Sequence, residues 1–214
     1  MKYLLYTDLA AYDERRVEQL LTTLPPTEAQ RIRRTSHFVG RREKVIAYQL
    51  LTDCLREEGL LRELPLLVYD SQGKPRLSNY PEVHFNMSHC RNAVAVAVAD
   101  REVGVDVESV RTYKEPLAER VFGQREMDIL RLADDKDRVF SRLWTRKEAV
   151  VKCLGTGIVG MEPLQGIDVS DDTVSVSTEG FPTAISPCLQ SCLLRLTTLP
   201  LPDDAGYLSL CQPA

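Results

Sequence analysis

Two carboxylates stand two residues apart in Gly104-Val105-Asp106-Val107-Glu108-Ser109. Alternate side chains of a strand share a face, so Asp106 and Glu108 point the same way as Gly104, and Val103, Val105 and Val107 point the other way. Acids about 7 Å apart along one strand face can converge on a single cation. Glycine at 104 is expected to leave room for it. Oxygen ligands select a hard ion such as Mg²⁺, which fills its other positions with water and substrate phosphates. The same pattern also suits a half-exposed strand whose charges meet water.

A second segment, Phe140 to Gly157, carries a third acid. If it is helical, Trp144, Glu148 and Lys152 lie at i, i+4 spacing on one stripe, while Leu143, Val150, Val151 and Leu154 form the adjoining core face. Read as a surface helix, its Glu-to-Lys pair is worth only ~0.3–0.5 kcal/mol. Read with the strand, Glu148 completes a carboxylate trio, and Lys147 or Lys152 meets a phosphate beside the metal. Three converging acids without a metal repel one another, so strain is expected in the empty site. Further candidates are Ser88-His89, a hydroxyl and an imidazole at a strand end, and the six Lys or Arg between Arg31 and Lys44. Lys74, in the turn Gly73-Lys74-Pro75, adds another cation. The basic run reads either as a solvated helical face or as a phosphate cradle.

The elements that must position these residues follow from periodicity and breakers. Tyr3–Asp8 reads as a strand. Val17, Leu20, Leu21 and Leu24 mark a helix that Pro25-Pro26 breaks, and a second helix starts at Thr27-Glu28. Val45, Ile46, Leu50 and Leu51 stripe a third helix, with Gly59 as its stop. A strand leads into the turn at Lys74, and "VHFNMSHC" and "AVAVAVA" are strands. The order then repeats: strand 103–108, a helix near 116–133, a helix near 137–154, and the strands "GIDV", "TVSVST", "CLLRLTTL" and "YLSLC". This predicts an α+β protein of two similar halves, residues 1–102 and 103–214.

Composition bounds the rest. With 43% hydrophobic and 27% charged residues and a net charge of −4, the chain has the balance of a soluble globular protein and no global basic field for nucleic acid or anionic lipid. The opening apolar run is cut by Asp8, too early for a signal peptide, and no stretch reaches the ~20 apolar residues of a membrane-spanning helix. A cytoplasmic protein is expected. The six cysteines (54, 90, 153, 188, 192, 211) form no CxxC pair. Cys188 and Cys192 are close enough in sequence to pair, but free thiols are the expectation.

Four segments, in order and spacing, resemble the 4′-phosphopantetheinyl transferases of the surfactin-synthetase type. They are Gly73-Lys74-Pro75, Phe85-Asn86-Met87-Ser88-His89, Gly104-Val105-Asp106-Val107-Glu108 and Trp144-Thr145-Arg146-Lys147-Glu148-Ala149-Val150-Val151-Lys152. The resemblance covers about residues 70 to 157, and the first 60 residues share only their Arg-rich helices. It implies a pseudodimer of two α+β halves, each with a small antiparallel sheet against helices, acting as a monomer. It implies a reaction in which coenzyme A gives its phosphopantetheine arm to a serine of an apo acyl or peptidyl carrier protein and 3′,5′-ADP leaves. By the same resemblance Asp106, Glu108 and Glu148 bind Mg²⁺, Glu148 takes the serine proton, and Lys152 sits by the diphosphate. Lys74, Ser88 and His89 match positions for the nucleotide end of coenzyme A. Arg31 and Lys44 are carried over from the basic run, in which Glu43 stands where a cation is expected. Residues 111–122 are the implied carrier-docking surface.

Overall fold

The computed structural model describes residues 1–70, 73–155, 162–176 and 192–214. The chain divides into two compact units, Met1–Asp100 and Arg101–Ala214. Both mix helices with small antiparallel sheets, so the protein is α+β.

The first unit opens with strand β1 (Lys2–Tyr6) and three helices, α1 (Glu14–Leu21), α2 (Pro26–Arg33) and α3 (Phe38–Glu57). Asp13 starts α1 by accepting the Arg16 backbone N–H at 2.8 Å, satisfying a donor that the first helical turn would otherwise leave open. Pro26 sits in the first turn of α2, where its missing N–H costs nothing. Gly59, at φ 69°, follows the end of α3 in the left-handed region that glycine enters without a Cβ clash. A two-stranded hairpin follows, β2 (Leu67–Tyr69) with β3 (Pro75–Leu77), then β4 (His84–Cys90) and β5 (Ala93–Ala99). The main sheet runs β1-β5-β4. All seven residues of β5 are buried, as a central strand requires. Val94, Val96 and Val98 pack into the core with Val45, Ile46, Leu51 and Leu55 of α3.

The second unit begins with β6 (Gly104–Ser109), then α4 (Glu115–Val121), α5 (Gln124–Leu132) and the long α6 (Lys136–Leu154). Strands β7 (Thr173–Val176), β8 (Cys192–Pro200) and β9 (Gly206–Pro213) complete a four-stranded sheet in the order β6-β9-β8-β7. Asp135 caps α6 by accepting the Arg138 N–H at 3.0 Å. Gly155, at φ 78°, closes it by donating to the Val151 carbonyl at 3.0 Å. In both units the first strand pairs with the last, and the last with the one before it. The repeated element order read from the sequence thus extends to strand pairing.

Two expected elements differ. The single helix near 116–133 is two, because Phe122 and Gly123 are extended and Gly123 packs close to the Gln165 carbonyl. "GIDV" is not a strand: a 3-10 turn over Glu162–Gly166 runs into irregular backbone. Side chains satisfy that backbone instead of a ladder. Lys147 takes the Leu164 carbonyl at 2.7 Å and the Ile167 carbonyl, Glu126 takes the Val169 N–H at 3.0 Å, and Arg146 takes the Val169 carbonyl at 2.6 Å. Cys54 and Cys153 are buried free thiols. The Cys188–Cys192 alternative lies outside the described residues, as does the end of "TVSVST".

Candidate functional site

In the second unit the acids meet where α6 crosses β6. Gly104 allows this approach: a Cβ there would lie 2.5 Å from the Cys153 nitrogen and closer still to the Ala149 carbonyl. The space expected to admit a cation is instead filled by helix backbone. Gly104 therefore serves the site by letting α6 come down onto the strand, which carries Glu148 and Lys152 toward Asp106. Trp144, Glu148 and Lys152 share the half-buried stripe of α6, while Leu143, Val150, Val151 and Leu154 are buried, as their spacing predicts.

The electrostatics show a cluster of interacting acids. Burial, then Asp106, push the Glu148 carboxyl up to about 7, Glu108 adds to this, and Lys152 and Arg111 oppose it. Burial raises Glu108 too, and Arg111 opposes that rise more strongly than Asp106 reinforces it. The expected strain of three unpaired charges is relieved by protein cations. Lys152 Nζ donates to Asp106 Oδ1 at 2.7 Å, and Arg111 Nη1 donates to Glu108 Oε2 at 3.0 Å. Among the described residues no three His, Cys, Asp or Glu side chains stand as a group that could hold a metal. Carboxylate oxygen and excess negative charge are nonetheless what a hard divalent cation takes. The raised Glu148 marks a place where added positive charge is favourable. The residues fit such an ion in kind, with two of the acids engaged by side-chain cations.

Lys147 is not a phosphate ligand. It is 1% exposed and paired with the buried Glu126 at 2.8 Å, and its remaining donors go to the Leu164 and Ile167 carbonyls. Glu126 also caps α5 by accepting the Gly123 N–H at 2.8 Å. This network, with Arg146 bound to Asp172, Thr198 and backbone carbonyls, ties the segment after α6 back to that helix. Apart from the Glu126 cap, its partners are 17 or more residues apart, and sequence spacing gives no signal for them. Beside Glu148 an apolar pocket is lined by Val121, Trp144, Lys147, Val151 and Leu164.

The first unit carries the other candidates. Arg31 of α2 donates to the buried Glu28 at 2.9 Å and lies 4.9 Å from the Tyr69 ring centroid on β2. Lys44 of α3 donates to Thr35 Oγ1 at 2.8 Å. Glu43, the anomalous acid of the basic run, is buried and stands 3.3 Å from His89 Nδ1 on β4. Next to it Ser88 is buried. Lys74 follows the hairpin turn, where its backbone N–H donates to Asp70 at 2.9 Å.

The sequence profile of the 4′-phosphopantetheinyl transferase superfamily matches residues 102–200. The AcpT 4′-phosphopantetheinyl transferase of Salmonella typhimurium is 36% identical over 143 residues, 64% of this chain and 67% of that protein. The chain belongs to the 4′-phosphopantetheinyl transferase superfamily. The match extends over nearly the whole chain in more distant members of the superfamily. Transferase psf-1 of Bacillus pumilus is 27% identical over 201 residues, 92% of this chain and 82% of that protein. Transferase Sfp of Bacillus subtilis is 28% identical over 178 residues, 80% and 77% of the two chains. These long matches support the surfactin-activating type within the superfamily.

Proposed function

We propose that this transferase moves 4′-phosphopantetheine from coenzyme A to a serine of an apo acyl or peptidyl carrier protein, with Mg²⁺, as a monomer. The observation that carries the reading is the cluster of Asp106, Glu108 and Glu148 brought together by the β6–α6 crossing, in a chain of this superfamily. Asp106, Glu108 and Glu148 would hold the ion, with Lys152 yielding Asp106 and turning to the diphosphate. Mg²⁺ supplies charge stabilisation at the phosphoryl oxygens as the serine attacks.

The chain's own residues account for the remaining chemistry. A bond forms between the serine oxygen and the phosphorus bearing pantetheine. The bond from that phosphorus to its bridging oxygen breaks, and 3′,5′-ADP leaves with the electron pair. Glu148 takes the serine proton, directly or through one water. Burial raises the Glu148 carboxyl to about 7 in the metal-free protein; a bound divalent cation would lower that value and keep the basic form populated near neutral pH. Lys152 compensates charge on the departing diphosphate. Arg31, Lys44, Lys74, Ser88 and His89 bind the nucleotide end of coenzyme A, and residues 111–122 dock the carrier.

The test is stoichiometry. With coenzyme A, Mg²⁺ and an apo carrier, 3′,5′-ADP should appear in equal amount to carrier consumed, and EDTA should stop both. Release of a different nucleotide product, or equal rates in EDTA, would refute the reading. Light scattering should give a mass near 24.2 kDa.

A further inference from the structure

Arg111 stands at the junction of two features the reaction scheme leaves separate: the acid cluster and the chain's one tryptophan. Its backbone is pinned. The Arg111 N–H donates to Ser141 Oγ at 2.8 Å, Ser141 Oγ donates to the Asp137 carbonyl at 2.8 Å, and the Tyr113 N–H donates to the Asp137 carboxylate at 2.7 Å. The segment after β6 is thereby fastened to the start of α6. The side chain is less constrained, being 46% exposed. Its guanidinium donates to Glu108 at 3.0 Å and lies 5.4 Å from the Trp144 ring centroid. Its positive charge is felt at Glu148 as well as at Glu108.

We propose that Arg111 is a resident counter-cation of the acid cluster, which a divalent ion must displace from Glu108, and that the face of Trp144 holds the displaced guanidinium beside the site. This rests on the reading of Asp106, Glu108 and Glu148 as metal-binding. It accounts for a cluster of interacting carboxylates in which no three groups form a ready cation site among the described residues. Ion loading is then an exchange of one cation for another at Glu108. The planar guanidinium suits both positions, since it pairs with a carboxylate and stacks on an indole face. An arginine cannot deprotonate to give way, so displacement is by movement and by competition for the carboxylate oxygen.

The experiment is a Mn²⁺ titration of the full chain without coenzyme A or carrier, counting free Mn²⁺ by electron paramagnetic resonance. The competing pair is partly exposed, so Arg111→Gln should tighten Mn²⁺ binding by roughly two- to fivefold. Arg111→Lys, which keeps the charge, should stay near wild type, as should Arg131→Gln on the exposed face of α5. Unchanged or weaker binding in a folded Arg111→Gln protein overturns the proposal, because a residue that merely props Glu108 in place predicts weakening. Equal Mn²⁺ binding, or none, in wild type, Arg111→Gln and Asp106→Ala alike would overturn it together with the metal assignment. A second readout needs no variant: Mg²⁺ should change Trp144 fluorescence in the wild-type protein with the same concentration dependence as metal binding. A silent Trp144 while Mg²⁺ binds also overturns the proposal.

Discussion

Gly104→Ala should damage fold and site together, because the residue is where α6 backbone meets β6. Ordinary contact to a Cβ begins near 3.4 Å, whereas the added carbon would stand 2.5 Å from the Cys153 nitrogen and closer to the Ala149 carbonyl. These are backbone atoms of a helix whose core face is fully buried, so no side chain can swing aside. The helix must lift by about 1 Å or more. Overpacking of this kind costs about 2–3 kcal/mol, or roughly 4–12 °C in melting temperature for a chain of this length. The same lift carries Glu148 and Lys152 away from Asp106, and a 1 Å misplacement costs on the order of 10²-fold in rate. Melting by circular dichroism and 3′,5′-ADP release, measured on one preparation, give both numbers. Gly166→Ala is the control: nothing lies within 4 Å of a Cβ there, and both quantities should stay near wild type. A Gly104→Ala protein that melts within about 1 °C of wild type and turns over normally would refute the claim that this contact positions the site.

Asp106→Ala should lower turnover roughly 10²–10³-fold, while Asp134→Ala, in the polar run before α6, should not; rates at saturating coenzyme A decide it. Because Asp106 is the partner of Lys152 at 2.7 Å, the substitution should also leave the metal-free protein slightly less stable rather than firmer. Glu148 titrates at about 7 in the folded protein against an ordinary value of 4.5. Between those values the folded state binds a proton the unfolded chain has released, so stability without metal falls as pH rises through that window. Denaturant midpoints in EDTA at about pH 5 and about pH 8 should show this, and Glu148→Gln should flatten the difference. Lys147→Met strands the buried Glu126 charge and should cost about 3–5 kcal/mol in chemical unfolding. Adding Glu126→Gln should recover part of that loss.

The strand and helix that carry the acids were legible because both follow simple periods: alternation along 103–108 and a 3.6-residue stripe along 137–154. Two terminators were legible for equally local reasons: Pro25-Pro26 as the break between two helices and Gly59 as the stop of a third. Where the reading went wrong, long-range contacts decided. Gly104 was read as room for a cation, but its neighbours are Ala149 and Cys153, some 45 residues on. Lys147 and Lys152 looked interchangeable as phosphate ligands. Only the fold separates them, placing one against buried Glu126 and the other beside Asp106. "GIDV" has the composition of a strand, yet Lys147, Glu126 and Arg146 take its backbone groups. Arg111 lies within the segment read as a docking surface, and nothing in its spacing marks it as the partner of Glu108 and Trp144. Glu43 was a visible anomaly in a basic run, and its contact with His89 needed β4 and α3 to be in place.

The most direct test of the central claim is the intact mass of an apo carrier after incubation with this protein, coenzyme A and Mg²⁺, across a panel of acyl and peptidyl carriers. At least one carrier should gain the mass of a single phosphopantetheine group on its serine, and the gain should disappear with Asp106→Ala. A panel left entirely unmodified while coenzyme A and Mg²⁺ demonstrably bind would contradict it.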